Sequence, residues 1–559
     1  MFNPEIKGLN SIKQLREERK IKEAIQIALE LEKRKDLSLK EILSYKLVRA
    51  ELLRQLGNFL DAIDIAKEVF QEFQKLGDLV SAFDALFIQA YSYMIMANIT
   101  QSEDLILQAE KLLKIIKAIS SIDLRERESE FARIKAGIHF FKGELQESLE
   151  LNRKAYELAK NTGNKVLIAA SLNNIADKYY YMKENDKALM YAKQAIKIYP
   201  SFAATIGILI DINIDKGDIK EAKVYLNQLR EISEKFDTKW NKTFYRISEA
   251  MILKSSLRAR DRIKAEDILK ELALDNTLLA EARMDAIINL CDLFLTELRI
   301  SNDPEIINEI HPYIQELLST AKNQHLNLYL AEAYLLQAKL SLLTLDLKKA
   351  KKFLTQAHKI AESYGIERLA MKISYEYDEL LRQTKMWENL NISEVSFSER
   401  LELTGLKENI ENMGKRQMIE VPEISKEDPV MLLILTEGGN LLFSKKFMED
   451  FSFEDDILGG FLTTINYIIS EVFSEGLDRV VFGPYTLLMM PIQPFLVCYI
   501  FKGDSYFAYH KIKNFLDSVQ SDSVIWQSLQ NFFQKSKSVQ LNDIPLLELL
   551  IKEIFVEKK

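Results

Sequence analysis

Glycine and proline are scarce in this 559-residue chain, at 18 and 10 residues. A shortage of both helix breakers suits a chain built mainly from long helices. Only two cysteines occur, Cys291 and Cys498, far apart and in apolar or helical surroundings. That excludes a disulfide scaffold and predicts two buried thiols in a reducing compartment. Long apolar runs are missing as well. The longest, TLLMMPIQPFLVCYIF from Thr486, is interrupted by Pro491, Gln493 and Pro494 and is too short to span a bilayer. The opening MFNPEIKGLNSIKQL lacks the apolar centre of a secretory signal. These absences predict a cytoplasmic protein with no membrane span.

An excess of positive charge is also absent. The formal net charge is -8, and residues 430–559 carry 11 Lys+Arg against 16 Asp+Glu. Neither part of the chain has the basic field that nucleic-acid binding needs. Motifs of catalysis are missing: no His-Glu-x-x-His, Cys-x-x-Cys, Gly-x-Ser-x-Gly or dinucleotide fingerprint occurs. None of the five histidines, His139, His311, His325, His358 and His510, lies at ligand spacing from another or from a cysteine. No metal, no cofactor and no enzymatic activity are expected.

What is present is a repeat. Hydrophobic content is 47% and charged content 28%, as in a folded protein, and the length exceeds one ordinary core. LGNFLDA at Leu56, KGELQES at Lys142 and KGDIKEA at Lys216 each set a glycine five residues before a small residue. Small residues then recur at spacings of twelve and seven: Ala90, Ser102 and Ala109; Ala136, Ser148 and Ala155; Ala176, Ala188 and Ala195; Ala338, Ala350 and Ala357. Two antiparallel helices approach closely only where a small side chain meets the neighbouring surface. A further glycine follows fifteen residues after the small residue of the second helix, at Gly77, Gly163 and Gly365, where a left-handed residue ends a helix.

This layout resembles the tetratricopeptide repeat (TPR). SLNNIADKYYYMKENDKALMYAKQAIKIYP from Ser171 is the closest copy, with Leu172, Ile175, Ala176 and Tyr179 on the first helix, Ala188, Ala192 and Ala195 on the second, and Pro200 at the exit. Many repeats recur at nearer 40 residues than the usual 34 or so, and the first-helix tryptophan is missing. The reading gives repeats at roughly 43–78, 83–120, 129–164, 168–202, 203–239, 244–275, 278–325 and 328–366, after a helical segment at 9–35 and before a closing helix from Arg368. The resemblance implies a right-handed superhelix with the first helix of each pair lining a concave groove for a peptide or protein segment. Arg54, Arg133, Asn173, Asn174, Asp177 and Tyr180 fall on that face and are the groove candidates. An asparagine there can donate to and accept from a ligand's backbone at once.

Residues 1–390 are thus expected to form a mostly α TPR-like solenoid, and 391–429 a linker with one possible helix. MIEVPEISKEDP closes that linker with charge and two prolines. From 430 the period becomes strand-like. VMLLILT reads as a central strand buried on both faces. Gly438-Gly439 leads into a second strand rather than a helix, and no Lys-Ser/Thr follows, so it is a hairpin turn and not a phosphate loop. FEDDILGGFLTTINYIISEVFSEG from Phe453 reads as a helix with acids in its first turn, followed by three strands, a long helix and about two more.

That order resembles the longin and roadblock group, a small α/β domain with a five-stranded antiparallel sheet. TPR chains with this EGG…FEDDILGGFLTTIN…EGLDR tail also resemble a group of archaeal proteins. The resemblance implies a scaffold or adaptor whose tail recruits a small GTPase or a second copy of the chain. The alternative is a regulatory protein with a profilin-like or PAS-like ligand-sensing domain. Gly459 and Gly460 cost a helix about 1 kcal/mol each against alanine, which points to a closely packed neighbour, either the sheet or a partner. They are the tail's interface candidates.

Overall fold

The computed structural model describes residues 9–388, 427–448 and 479–556, apart from short gaps such as 437–439. Among these residues nineteen helices precede the sheet. They are α1 (Leu9–Glu17), α2 (Ile21–Glu32), α3 (Leu39–Leu56), α4 (Phe59–Lys75), α5 (Leu79–Ile95), α6 (Ile99–Ile119) and α7 (Arg125–Phe141). Then come α8 (Leu145–Ala159), α9 (Lys165–Tyr181), α10 (Asn185–Ile198), α11 (Ala203–Asp215), α12 (Ile219–Lys235) and α13 (Lys239–Lys254). The series ends with α14 (Ala259–Leu274), α15 (Ala280–Ser301), α16 (Glu305–Asn323), α17 (Asn327–Leu343), α18 (Leu347–Ser363) and α19 (Glu367–Glu388). From α3 to α18 they form eight successive pairs, and the N-terminal segment is itself a pair, α1 and α2.

The small-residue trios are the contact points of the pairs. Ala176, Ala188, Ala195, Ala338, Ala350 and Ala357 are all fully buried. Where serine replaces alanine the hydroxyl is satisfied locally: Ser102 Oγ donates to the Ala90 carbonyl at 2.8 Å and Ser148 Oγ to the Ala136 carbonyl at 2.7 Å. A buried polar group is tolerated when it is paired in this way.

Gly57, Gly77, Gly143, Gly163, Gly217 and Gly365 all have positive φ, as helix ends of this kind require. Three other turns use Ala97, Lys183 and His325 at φ 57, 58 and 56. The residue after the left-handed position starts the next helix. Asp78, Asn98, Asn164 and Asp218 each accept from a first-turn backbone N–H.

The chain divides into two compact units. One comprises the repeats through Leu336 together with Ile360–Arg368. Within it, segments distant in sequence touch. Asn327 Nδ2 donates to the Lys142 carbonyl at 2.9 Å, and the Phe141 and Tyr329 ring centroids are 6.4 Å apart. Gly143 is pressed against the segment after α18: a Cβ there would lie 3.1 Å from Tyr364 Cβ.

The other unit holds Gln337–Lys359, α19 from Leu369, and the sheet domain. Its strands are β1 (Asp428–Thr436), β2 (Leu441–Lys446), β3 (Arg479–Phe482), β4 (Tyr485–Ile492) and β5 (Phe495–Lys502). All pairings are antiparallel, in the order β2-β1-β5-β4-β3. The hairpin is present: Thr436 N donates to the Asn440 carbonyl at 2.9 Å, and Asn440 N to Thr436 Oγ1 at 3.2 Å.

Central β1 is buried on both faces, as its unbroken apolar run predicts. Leu432 and Ile434 join the core made with α20 (Ser505–Ser521), α21 (Ser523–Gln534) and α22 (Pro545–Phe555). Val430, Leu433 and Leu435 join a second core with Leu487, Leu496 and Cys498. Both cysteines are free and buried, and burial pushes both thiols up. The helix expected from Phe453, with Gly459 and Gly460, lies outside the described residues, as does most of the 391–429 linker.

Candidate functional site

The first helices of the pairs turn one face toward a common space in the repeat unit. A cavity of about 1300 Å³ is lined there by residues of α1–α3, α5, α7, α9, α11 and α13, with Lys235 from the end of α12. Its aromatic wall includes Phe87, Tyr91, Tyr199, Phe202, Trp240 and Phe244. Lys13, Arg16, Lys20, Lys22, Arg54, Arg133 and Lys235 outnumber Glu23, Glu51, Glu126 and Glu130 on the lining. A concavity that joins aromatic rings to many charged groups suits a polar, charged ligand such as a peptide segment.

Arg54 and Arg133, both groove candidates, meet in this cavity. Arg54 is held by Glu51 in a two-point ion pair at 2.6 and 2.7 Å and lies 4.2 Å from the centre of the Tyr91 ring. Burial opposes the charge on both members. The pair outweighs it, so the Glu51 carboxyl is lowered and the Arg54 guanidinium raised. Among the described residues Arg133 makes no ion pair, although Glu130 attracts its charge. Its Nε is buried without a hydrogen-bond partner among the described residues, and burial lowers its pKa.

The other candidates lie further along. Asn173 and Asn174 are engaged by neighbouring helices. Thr205 Oγ1 donates to Asn173 Oδ1 at 2.9 Å, and Asn174 Nδ2 donates to Asn152 Oδ1 at 3.3 Å. Asp177 is ion-paired with Lys178 at 2.5 Å. Tyr180 lies beneath Arg368, whose guanidinium is 4.4 Å from the ring centre and 2.6 Å from Asp215.

Around Asp177 and Tyr180 the structure gathers acids that sequence reasoning passed over. Asp211 and Asp215 come from α11, Glu281 and Asp285 from α15. Burial, then mutual repulsion, pushes Asp211 and Glu281 up to about 7 and Asp285 well above the usual carboxylate range. The signal for them was present: two i, i+4 acid pairs on first helices of their repeats.

Another missed group lies in the sheet-bearing unit. Arg479, fully buried on β3, donates to Asp378 at 3.2 Å, to Ser505 Oγ at 2.6 Å and to Ser374 Oγ at 3.1 Å. Its guanidinium is 4.6 Å from the centre of the Tyr377 ring, and its Nη2 lies 3.5 Å from His358 Nε2. Burial, then the Arg479 charge, keeps His358 neutral, well below its ordinary range. Every member has a partner in the chain, so the cluster reads as a structural clasp.

Residues 131–201 match the family model described as tetratricopeptide repeat. That segment carries tetratricopeptide repeats. No curated protein sequence matches it. Among solved structures it is similar to a Rap protein complexed with competence and sporulation factor, at 15% identity and a TM-score of 0.45, covering 67% of this chain and 98% of that one. It is also similar to apo RapI, at 18% and 0.37, covering 50% and 99%. The yeast Sti1 TPR2AB domain in complex with pHSP90 is a third, at 16% and 0.19, covering 42% and 94%. Among the described residues no helix is long and apolar enough to cross a membrane, and no cluster of His, Cys, Asp or Glu could hold a metal ion.

Proposed function

We propose that this chain is a non-enzymatic interaction scaffold that binds a peptide or protein segment in the channel of its TPR array. The carrying observation is the cavity of about 1300 Å³ lined mainly by successive first helices, where Arg133 Nε is buried without a hydrogen-bond partner among the described residues. Arg54, Arg133, Asp177 and Tyr180 are the proposed contacts, and Asn173 and Asn174 shape the wall between them. The sheet domain is proposed to recruit a second partner, a small GTPase or another copy of the chain, on the resemblance of its sequence to the longin and roadblock group. A cytoplasmic setting fits two buried free thiols.

The sensor alternative is favoured by a buried polar group among the apolar strands, and Arg479 is such a group, but a ligand needs one that the chain leaves open. Arg479 is fully paired, and Tyr499 on β5 donates to Glu427 at 3.4 Å. The scaffold is therefore the reading we carry forward.

The test is selection of a displayed random heptapeptide library on the immobilised full chain, followed by titration of the enriched peptides. Arg133→Glu should weaken them at least about tenfold, the scale of a lost buried charge contact. Lys75→Glu, on the exposed surface, should leave them unchanged. Absence of enrichment, or equal binding by both variants, overturns the reading.

A further inference from the structure

The acidic cluster, or chamber, is built partly on α9 and α11, whose earlier turns line the cavity. Ala170, which lines the cavity, is followed at helical steps of four, three and four by Asn174, Asp177 and Tyr181 on α9. Ala204, also in the lining, is followed at the same steps by Ile208, Asp211 and Asp215 on α11. Residues at such spacing share one helix face.

Two of the five acids are neutralised: Asp177 by Lys178 and Asp215 by Arg368. Asp211, Glu281 and Asp285 have no ion pair or side-chain hydrogen bond among the described residues. A second, independent feature points the same way. Tyr329, 1% exposed, has a hydroxyl without a hydrogen-bond partner among the described residues, and its electrostatic neighbours are Asp285, Glu281, Tyr181 and Asp177. A buried hydroxyl without a partner costs stability, and so does a crowd of like charges. One group removes both costs: a cation with N–H donors for the carboxylates, set among aromatic rings.

We propose that this chamber receives the lysine or arginine side chain of a peptide bound in the channel. The inference rests on the scaffold reading and adds the chemistry of one subsite. The channel is then bipolar. Basic residues near α1–α3 and α7 meet the acidic or carboxylate part of the ligand, and the chamber on α9, α11 and α15 meets its cation.

The same heptapeptide selection, read by sequencing, tests it. Enriched peptides should share one basic position. Replacing that residue by alanine should weaken binding to the native chain at least about tenfold, as for a well-paired buried charge. The Glu281→Gln/Asp285→Asn chain should bind the basic and alanine peptides within about twofold of each other. Asp211→Asn, a milder change, should shrink the difference in the same direction if the double variant folds poorly. Enriched peptides without a basic position, or a preference that survives both variants, overturn the chamber while the scaffold stands. No enrichment at all overturns the scaffold and this subsite with it. Spermidine titrated calorimetrically supplies the last arm. If it binds the native chain and not the double variant while peptides show no basic preference, the chamber holds a free amine and the peptide assignment fails.

Discussion

Arg479 and Asp378 are separated by 101 residues and meet at 3.2 Å with neither side chain exposed by more than 1%. One sits on β3, the other on α19, so the sheet and the last repeat helices of that unit are fastened by a buried ion pair. Removing one partner strands a charge. Arg479→Ala should cost about 3–5 kcal/mol in that unit. The double change Arg479→Met with Asp378→Leu should recover a large part of this. Chemical denaturation followed at the sheet-bearing unit measures both. A fragment starting at 430 lacks Asp378 and Ser374 and should be less stable than one starting at 337; equal melting would contradict the clasp.

Ala176 and Ala188 are fully buried, while the Lys187 side chain is 55% exposed. Leucine at either alanine should force the pair apart at about 1–3 kcal/mol. Leucine at 187 should cost little. Melting of the three variants checks the register of the repeats.

Gly143 and Gly77 share a positive φ, at +86° and +70°, but only Gly143 has a neighbour in the way. Both alanine variants should lose about 1–2 kcal/mol for the left-handed backbone. Gly143→Ala should lose more, because Tyr364 Cβ stands 3.1 Å from the added atom. Exposed His325, at φ 56, is the reverse case, and His325→Gly should be stabilising by about 1 kcal/mol. The measurement is again the melting midpoint.

The crowded carboxylates give the repeat unit a signed pH dependence. Asp211 and Glu281 titrate near 7 when folded, against 3.8 and 4.5 in their ordinary state. The folded state therefore binds more protons between those values, and stability falls as pH rises from about 4 through 7. Thermal midpoints should decline from pH 5 to 8, and Asp211→Asn should flatten the decline. A rise over that range would contradict the chamber's electrostatics.

The fold was legible where a local rule repeats. Small residues at twelve and seven, with glycine at the left-handed turn, mark each pair because packing and backbone geometry demand them at fixed spacing. Detection weakens where the demand is met differently. Ala97, Lys183 and His325 adopt the left-handed turn without being glycine. The candidate site was legible in half. Arg54 and Arg133 do line one cavity, because their helices repeat in register. The chamber was not, since Asp211, Glu281, Asp285 and Tyr329 come from three helices that only the closed array brings together. Arg479 opens an apolar strand, and nothing nearby in sequence names its partner on α19.

The central claim is that a peptide occupies the channel of the array, and a photo-crosslinking residue tests it most directly. Benzoylphenylalanine in place of Tyr91, in the cavity wall, should label a selected peptide on irradiation and should map to that peptide by mass spectrometry. The same residue in place of Ile119, which is 70% exposed, should not. Labelling from position 119 and not from position 91 would contradict the account.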